Sequence, residues 1–304
     1  MRIALTGTSG FIGAEIARQA ALAGHKVQGL VRKTSQREHL EPWVDRLVEG
    51  THDDARARDE LLEGADAVIH NSFDWTALRD GDLAAHMQGN MIGSIDLLQA
   101  AGERPFIYIS SVAVHHHIDD RWNGLIDGLH PTRPGSFYGA LKAAVEAHMW
   151  AAHAERGQPV TAIRPCAVYG LDPNQSRSIG WPIIEQIRRG EAYTRSGGGK
   201  FVHVDDVATA TIACLGNPAA SPAIYHLVDC YARWGDWATI TAELLGVDVE
   251  IDLSSPTASK NMFDTENVSR DLDVPMDRGL DGIRQHLAAM IALQESEGAD
   301  GSNG

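Results

Sequence analysis

A glycine-spaced turn near the amino end constrains the fold of this chain more than any other feature. A short apolar run, residues 2–6, leads into glycines at positions 7, 10 and 13, and apolar residues at helical spacing follow. Strand, glycine turn and helix in this order predict a turn that binds a dinucleotide, with the pyrophosphate at the helix amino end. A purely structural turn is the alternative. The turn residues expected to bind are Gly7, Gly10, Phe11, Ile12 and Gly13.

The second predicted strand, residues 26–31, ends in two basic residues, Arg32 and Lys33. Enzymes that prefer NAD usually carry an acid here, which holds the ribose 2′-hydroxyl, whereas a basic residue suits the 2′-phosphate of NADP. No acid stands at this strand end in the sequence. Arg32 and Lys33 therefore favour NADP over NAD, and a solvated basic loop is the alternative.

Strand and helix patterns alternate along the first part of the chain without an internal repeat. This alternation predicts an α/β fold with a Rossmann-type doubly wound parallel sheet, which we assign to residues 1–170. Asn71 and Ser72 follow one of the strands, where the loop is expected to lie beneath a bound dinucleotide. The later predicted strands are 46–49, 67–70, 106–109 and 161–163.

The regular alternation ends after residue 170, where glycine and proline interrupt the pattern and shorter elements follow. We expect residues 171–294 to form a smaller, mainly substrate-binding region at the carboxyl end, with some elements that return to the Rossmann core. Residues 295–304 lack apolar content, so we expect a disordered tail there.

Tyr138 and Lys142 stand four residues apart in a predicted helix, and this spacing places them on one helix face. A phenol has an ordinary pKa of about 10, and an ammonium group beside it favours the phenolate. We therefore expect Lys142, together with a cationic cofactor ring in a poorly solvated site, to lower the pKa of Tyr138 far enough for the tyrosine to move a proton. Chance spacing is the alternative for the pair taken alone.

Composition excludes several classes of partner. A formal net charge of −15 disfavours nucleic acid and anionic membranes. The first residues do not resemble a signal peptide, and no apolar run is long enough to span a membrane. The cysteines are far apart, without the spacing of a metal site or a disulfide framework. We therefore expect a reduced, cytoplasmic protein that acts on a small molecule and binds no metal.

Together these motifs resemble the extended short-chain dehydrogenase/reductase family. The glycine turn, a serine at position 111 and the Tyr138-x-x-x-Lys142 pair occur in the family's order, and the stretches 164–170 and 201–208 strengthen the resemblance. It runs over nearly the whole chain. It implies hydride transfer between a nicotinamide cofactor and a substrate carbon, with NADP as the preferred cofactor and NAD as the alternative.

The resemblance also implies a role for each site residue. Tyr138 would be the general acid/base, Ser111 would hydrogen-bond the reacting carbonyl, and Lys142 would hold the nicotinamide ribose. Asn90 would support a proton relay and Pro165 would pack beside the nicotinamide. The catalytic set is therefore Ser111, Tyr138, Lys142 and Asn90. The cofactor-binding set is Gly7, Gly10, Phe11, Ile12, Gly13, Arg32, Lys33, Asn71, Ser72, Tyr138, Lys142 and Pro165.

Departures from the family pattern bear on the substrate. Histidines at 115–117 replace the usual Tyr-Gly, and we expect them to line a substrate pocket rather than to bind a metal. Residues 166–167 and 199–200 lack the Asn and Arg with which nucleotide-sugar epimerases hold a pyrophosphate. Residues 112–113 lack the Asp-Glu of the dehydratases. We therefore expect an oxidoreductase that interconverts a secondary alcohol and a ketone or aldehyde.

Two other functions stay open from the sequence. One is a nucleotide-sugar epimerase with tightly bound NAD, and the other is a non-catalytic dinucleotide sensor, which the retained Tyr138–Lys142 pair disfavours. The family often dimerises through two long helices, which correspond here to residues 83–101 and 136–156. We therefore expect a homodimer.

Overall fold

The computed structural model describes residues 1–300 of the chain. Contacts within the chain divide it into two compact units. The first unit comprises Met1–Cys166, Asp205–Leu227 and Asn261–Pro275, and the second comprises Ala167–Val204, Val228–Lys260 and the chain from Met276 onward. The substrate-binding role expected for residues 171–294 stays a prediction.

The strands alternate with helices over most of the chain. The strands are β1 (Arg2–Thr6), β2 (Lys26–Val31), β3 (Arg46–Glu49), β4 (Ala67–His70), β5 (Phe106–Ile109), β6 (Leu125–Ile126), β7 (Val160–Pro165), β8 (Ala167–Tyr169), β9 (Gly198–His203), β10 (Ala223–Leu227), β11 (Cys230–Arg233) and β12 (Met262–Phe263). The helices are α1 (Phe11–Leu22), α2 (Ala55–Leu62), α3 (Thr76–Arg79), α4 (Leu83–His86), α5 (Gly93–Ala101), α6 (Phe137–Arg156), α7 (Trp181–Arg188), α8 (Val204–Ala213), α9 (Trp234–Leu245), α10 (Glu266–Leu272) and α11 (Gly279–Asp300).

The first unit is built on a seven-stranded sheet in the order β10-β7-β5-β4-β1-β2-β3. All neighbouring pairs in it run parallel. The chain proceeds from β1 in one direction to β3 and then crosses to β4 on the other side of β1. This reversal places the carboxyl ends of β1 and β4 at the topological switch point, where open α/β sheets bind ligands. The prediction of a Rossmann-type doubly wound parallel sheet is confirmed.

An apolar core lies on one face of the sheet. Strands β4 and β5 are buried along their whole length, which explains their uninterrupted apolar sequences. Buried side chains of α2, α5 and α6 pack against this face, among them Leu61, Leu97 and Val145. Strands β2 to β5 have the bounds predicted from the sequence, and the strand predicted at 161–163 is longer, as β7.

Helix α6 carries Tyr138 in its first turn and Lys142 in its second. It begins after Ser136, because the Ser136 Oγ accepts a hydrogen bond from the Gly139 amide at 3.1 Å and so caps the helix. It ends at Gly157, which adopts the left-handed conformation at φ +70°. The helix is thus defined at both ends by residues suited to those positions.

The helix predicted over 83–101 contains an irregular segment. Helix α4 is followed by a π-helical turn, Met87–Ile92, and then by α5. π turns often occur at functional sites. Asn90 lies in this turn, and its backbone carbonyl accepts a hydrogen bond from the Ser94 hydroxyl.

The second unit contains a three-stranded sheet in the order β11-β9-β8, in which β9 runs antiparallel to β11 and parallel to β8. Helices α7, α9 and α11 contribute to its apolar core, in which Trp237 is fully buried. The chain from 295 to 300 belongs to α11, whereas residues 301–304 of the tail expected to be disordered lie outside the described residues.

Within the described part of the chain, no helix combines the length and the apolar character needed to cross a membrane. The cytoplasmic location expected from the sequence stays a prediction.

Candidate active site

Two glycines of the turn lie where a side chain would collide with the backbone. Gly7 has a φ of +68°, and a Cβ added there would lie 2.9 Å from the backbone carbonyl of Asn71. A Cβ on Gly13 would lie 2.0 Å from the Gly7 carbonyl oxygen. Gly10 precedes α1, and no side chain in the described structure caps this helix end. The uncapped amides and the close backbone approach therefore fit the pyrophosphate of a dinucleotide.

Thr6 joins the glycine turn to the end of β4. Its Oγ1 accepts hydrogen bonds from the backbone amides of Asn71 and Ser72, both at 3.0 Å. The same hydroxyl lies 2.7 Å from His70 Nδ1. The two residues predicted to lie beneath the dinucleotide are thus fixed beside Gly7 at the switch point.

Tyr138, Lys142 and Ser111 come together where α6 passes the carboxyl end of β5. The Lys142 Nζ donates a hydrogen bond to the Ile109 carbonyl at 2.7 Å. The Ser111 side chain is close enough to Tyr138 to lower the pKa of its phenol. The Ser111 Oγ also accepts a bond from the Ala113 amide at 3.1 Å. This arrangement places two hydroxyl groups and an ammonium group in one region of the first unit.

The electrostatics of this group differ from the expectation. Burial raises the pKa of Tyr138 above its ordinary value, and the influence of the Ser111 side chain acts in the opposite direction. Burial also lowers the pKa of Lys142 to about 7, against the attraction of Glu146, which raises it. In the protein alone, desolvation outweighs the effect of Lys142 on Tyr138, and the lowering expected from Lys142 together with a cationic cofactor ring stays a prediction.

A buried ion pair that the sequence reasoning missed lies behind these groups. Glu146 and Arg164 are 3% and 2% exposed and form two hydrogen bonds, one of them from Arg164 Nε at 3.0 Å. Glu146 also accepts a hydrogen bond from the Ser110 hydroxyl. The Ser110 hydroxyl is thus engaged with Glu146, and the catalytic role expected of Ser111 stays a prediction. Glu146 follows Lys142 by four residues, and this spacing predicts that the two side chains share one helix face but does not identify Arg164 as a partner.

The three adjacent histidines divide between the interior and the surface. His115 is buried, and its Nε2 lies 3.0 Å from Arg164 Nη1 and 3.3 Å from His226 Nε2. Burial lowers the pKa of His115 to about 4 and that of His226 well below its ordinary value, so both rings are neutral at neutral pH. His116 and His117 are exposed. In the described residues, no group of histidine, cysteine or acidic side chains is arranged to hold a metal ion.

Asn90 is 3% exposed and uses its amide to hold the loop after β4. Its Oδ1 accepts a hydrogen bond from the Asp74 amide at 2.7 Å, and its Nδ2 donates to the Asp74 carbonyl at 2.8 Å. The Nδ2 also lies 3.1 Å from His86 Nδ1. The side chain is thus engaged in positioning backbone, and the proton relay expected of Asn90 stays a prediction.

The remaining predicted cofactor residues lie at strand ends of the same sheet. Arg32 and Lys33 follow β2 and are exposed, and Arg32 Nη1 lies 3.8 Å from Asp74 Oδ1. Pro165 is buried at the end of β7. The described structure therefore leaves Arg32 only loosely paired, at a distance where a phosphate could compete with the Asp74 carboxylate.

Curated relatives carry out different reactions. The chain is 26% identical to sterol demethylase protein B of Methylococcus capsulatus over 223 residues, 71% of this chain and 66% of that protein. It is 27% identical over 262 residues to the 4-hydroxy-2-methyl-3-oxo-4-farnesyl-3,4-dihydroquinoline-1-oxide ketoreductase of Stigmatella aurantiaca, 83% of this chain and 75% of the relative. Further relatives are named dTDP-glucose 4,6-dehydratases. These names do not agree on a single reaction or substrate.

A solved structure of a UDP-glucose 4-epimerase from Thermotoga maritima, with UDP-glucose, has a similar fold. Its TM-score is 0.81 at 20% identity, and the match covers 98% of this chain and 99% of that one. A likeness at this identity supports the fold alone.

A match to a family model identifies the family to which this chain belongs. The model of the NAD dependent epimerase/dehydratase family matches residues 3–228, which include the glycine turn, Ser111, Tyr138 and Lys142. The sequence resemblance to extended short-chain dehydrogenase/reductases is confirmed. This chain belongs to the NAD dependent epimerase/dehydratase family.

Proposed function

We propose that the protein is an NADP(H)-preferring oxidoreductase that interconverts a secondary alcohol and a ketone or aldehyde. The observation that carries this proposal is the grouping of the Tyr138 and Ser111 side chains with the buried Lys142 amine, whose Nζ lies 5.8 Å from the centre of the Tyr138 ring. These groups lie at the carboxyl end of the sheet whose first turn fits a dinucleotide. A pair of hydroxyl donors suits a carbonyl oxygen, on which negative charge develops during reduction.

The chain's own residues hold the oxygen and supply the proton. A bound nicotinamide dinucleotide supplies the hydride that passes to the carbonyl carbon. Ser111 and Tyr138 hold the carbonyl oxygen, and Tyr138 donates its phenolic proton to that oxygen as the carbon–oxygen double bond becomes single. Because burial raises the pKa of Tyr138, the phenol is protonated at neutral pH and able to donate. The Lys142 ammonium stabilises the phenolate left behind.

The preference for NADP rests on the end of β2. Arg32 and Lys33 are exposed cations, and no acid immediately follows the strand to receive a ribose 2′-hydroxyl. A 2′-phosphate would form charge-assisted hydrogen bonds with the Arg32 guanidinium in place of its 3.8 Å contact with Asp74.

A coenzyme-linked absorbance assay over ketones, aldehydes and alcohols tests this function. We expect NADPH consumption with a carbonyl compound, faster than with NADH, and loss of that consumption in Tyr138→Phe. Tyr225→Phe is the matched control, because it removes a hydroxyl from another buried tyrosine of the same unit. The proposal would be overturned if no carbonyl compound were reduced with either coenzyme, or if Tyr138→Phe kept full activity.

The alternative is a nucleotide-sugar epimerase or dehydratase, which the names of the dTDP-glucose relatives favour. An enzyme of that kind would return the hydride to the sugar and consume no coenzyme. Incubation with UDP-glucose or dTDP-glucose and analysis of the sugar product separates the two functions.

We also propose a homodimer that packs α4, α5 and α6 of one subunit against those of a second. Large apolar side chains on these helices are exposed in the single chain, namely Leu83 and Trp150, and Met87 and Ile92 in the π turn. Packing these side chains against a second chain would remove their apolar surface from water and so favour association. The mass of the protein in solution should be that of two chains, and Met87→Glu should shift it toward one. A monomeric wild type would refute this assembly.

A further inference from the structure

The segment that follows β4 is anchored at two points. Its first amides, those of Asn71 and Ser72, donate to Thr6, and both backbone groups of Asp74 bond to the Asn90 side chain. Trp75 follows at once. Its side chain is 46% exposed although the backbone beside it is held. A large aromatic ring kept at the surface by a fixed segment, next to an active site, is a feature of binding surfaces.

Two aromatic rings of this segment cover one side of Tyr138. The Trp75 ring stacks on the Tyr138 ring with centroids 4.8 Å apart and planes at 26°. The Phe73 ring meets Tyr138 edge to face at 5.0 Å and lies 4.5 Å from Trp75. Phe73 is half-buried and packs against the apolar core beneath the sheet. The two rings therefore form one contiguous aromatic wall beside Tyr138.

The wall lies where the substituents of a substrate would be. A carbonyl oxygen must reach the hydroxyls of Tyr138 and Ser111 to be reduced, so the groups attached to the carbonyl carbon lie next to the tyrosine ring and its neighbours. A flat apolar group gains binding free energy when it stacks on an indole in offset or edge-to-face geometry. A saturated chain of the same size gains only from burial.

The faces of the two rings disfavour an anionic substituent, because the negative face of an aromatic ring repels an anion. The charged side chains nearby have both signs, since Arg32 Nη1 lies 3.8 Å from the Asp74 carboxylate.

We propose that Phe73 and Trp75 form an aromatic wall that selects carbonyl substrates bearing a flat apolar group, such as an aromatic or conjugated ring, next to the reacting carbon. This inference rests on the proposed function, because it concerns the same site. Trp75 is a specificity residue that touches the substrate, and Asn90 positions it by holding Asp74.

Steady-state kinetics with an aryl methyl ketone and an aliphatic methyl ketone of similar size test the wall. The wild type should prefer the aryl ketone. Trp75→Ala should lower kcat/KM for it by about tenfold, mostly through KM, and change the aliphatic ketone by less than about twofold. Trp75→Phe should restore the preference because it restores a ring, and Trp75→Leu should not. An equal loss for both ketones, or a wild type that prefers the aliphatic one, would overturn the proposal.

Calorimetric titration with the same two ketones, in the presence of NADP, separates this inference from the proposed function. Binding of the aryl ketone that weakens in Trp75→Ala and recovers in Trp75→Phe supports the wall even if no ketone is turned over. Turnover of both ketones without any dependence of binding on residue 75 rejects the wall and leaves the oxidoreductase function standing. Absence of binding of the aryl ketone to the wild type also rejects the wall.

Discussion

The side chains on the two sides of Tyr138 differ in polarity and in exposure. On one side lie Ser111, Lys142 and the ion pair of Glu146 with Arg164, all polar and mostly buried. On the other lie Phe73 and Trp75, which are aromatic and partly exposed. The buried polar side depends on complete pairing, so its changes should affect stability and chemistry. The aromatic side is solvent-accessible, so its changes should affect the choice of substrate.

The largest effect is expected on the chemical step. Tyr138→Phe removes the proton donor but keeps the ring on which Trp75 stacks, so it breaks the polar side without disturbing the aromatic side. We expect kcat to fall by about a thousandfold, within the usual contribution of a general acid, while KM for the ketone changes little. A variant whose KM rises and whose kcat is retained would show that the hydroxyl serves binding alone.

The buried ion pair should dominate stability. Glu146→Gln leaves the Arg164 guanidinium uncompensated in the interior, and we expect a loss of about 3–5 kcal/mol in the free energy of unfolding, measured in urea. The double variant Glu146→Gln, Arg164→Met removes both charges and should recover most of that loss. Glu155→Gln on the exposed face of α6 is the control. Equal stability of the single variant and the wild type would contradict the role of this pair.

Lys142 should make stability depend on pH. Burial lowers its pKa to about 7, so above that pH the unfolded chain binds a proton that the folded chain does not. The free energy of unfolding should therefore rise with pH, by up to about 1.4 kcal/mol per unit, from about pH 7 toward the ordinary pKa of lysine. Lys142→Met should abolish this rise. The free energy of unfolding of the variant should exceed that of the wild type by the largest amount below pH 7. Parallel pH curves for the two proteins would refute the lowered pKa.

The smallest effect is expected at the cofactor's far end. Arg32→Ala removes the cation expected to meet the 2′-phosphate, and we expect KM for NADPH to rise by about tenfold with little change for NADH. Arg56→Ala, an exposed arginine on α2, is the matched control. An equal change in KM for both coenzymes would show that Arg32 does not bind the 2′-phosphate.

The fold and the placement of Tyr138 and Lys142 on one helix could be predicted because their signals are local. The strands β2 to β5 are short apolar runs bounded by turns, and the spacing of Tyr138 and Lys142 places both on one face of α6. The glycine turn was readable for the same reason: Gly7 and Gly13 occupy positions where the backbone leaves no room for a Cβ.

The rest depends on contacts between distant parts of the chain. Arg164 meets Glu146, His115 and His226 only after β5, β7 and β10 become neighbours, and no sequence spacing encodes that meeting. The raised pKa of Tyr138 follows from burial, which a sequence pattern does not measure. Trp75 lies near Tyr138 because Asn90 holds the intervening loop, and neither residue signals the other along the chain.

Isotope transfer tests the central claim most directly. The protein is incubated with NADPH carrying deuterium at the transferable C4 position and with an aryl ketone, and the alcohol is examined by mass spectrometry and NMR. We predict one deuterium on the carbinol carbon of the product with the wild type and almost none with Tyr138→Phe. Recovery of all the deuterium in the coenzyme, with no alcohol formed from any ketone or aldehyde tried, would contradict the account.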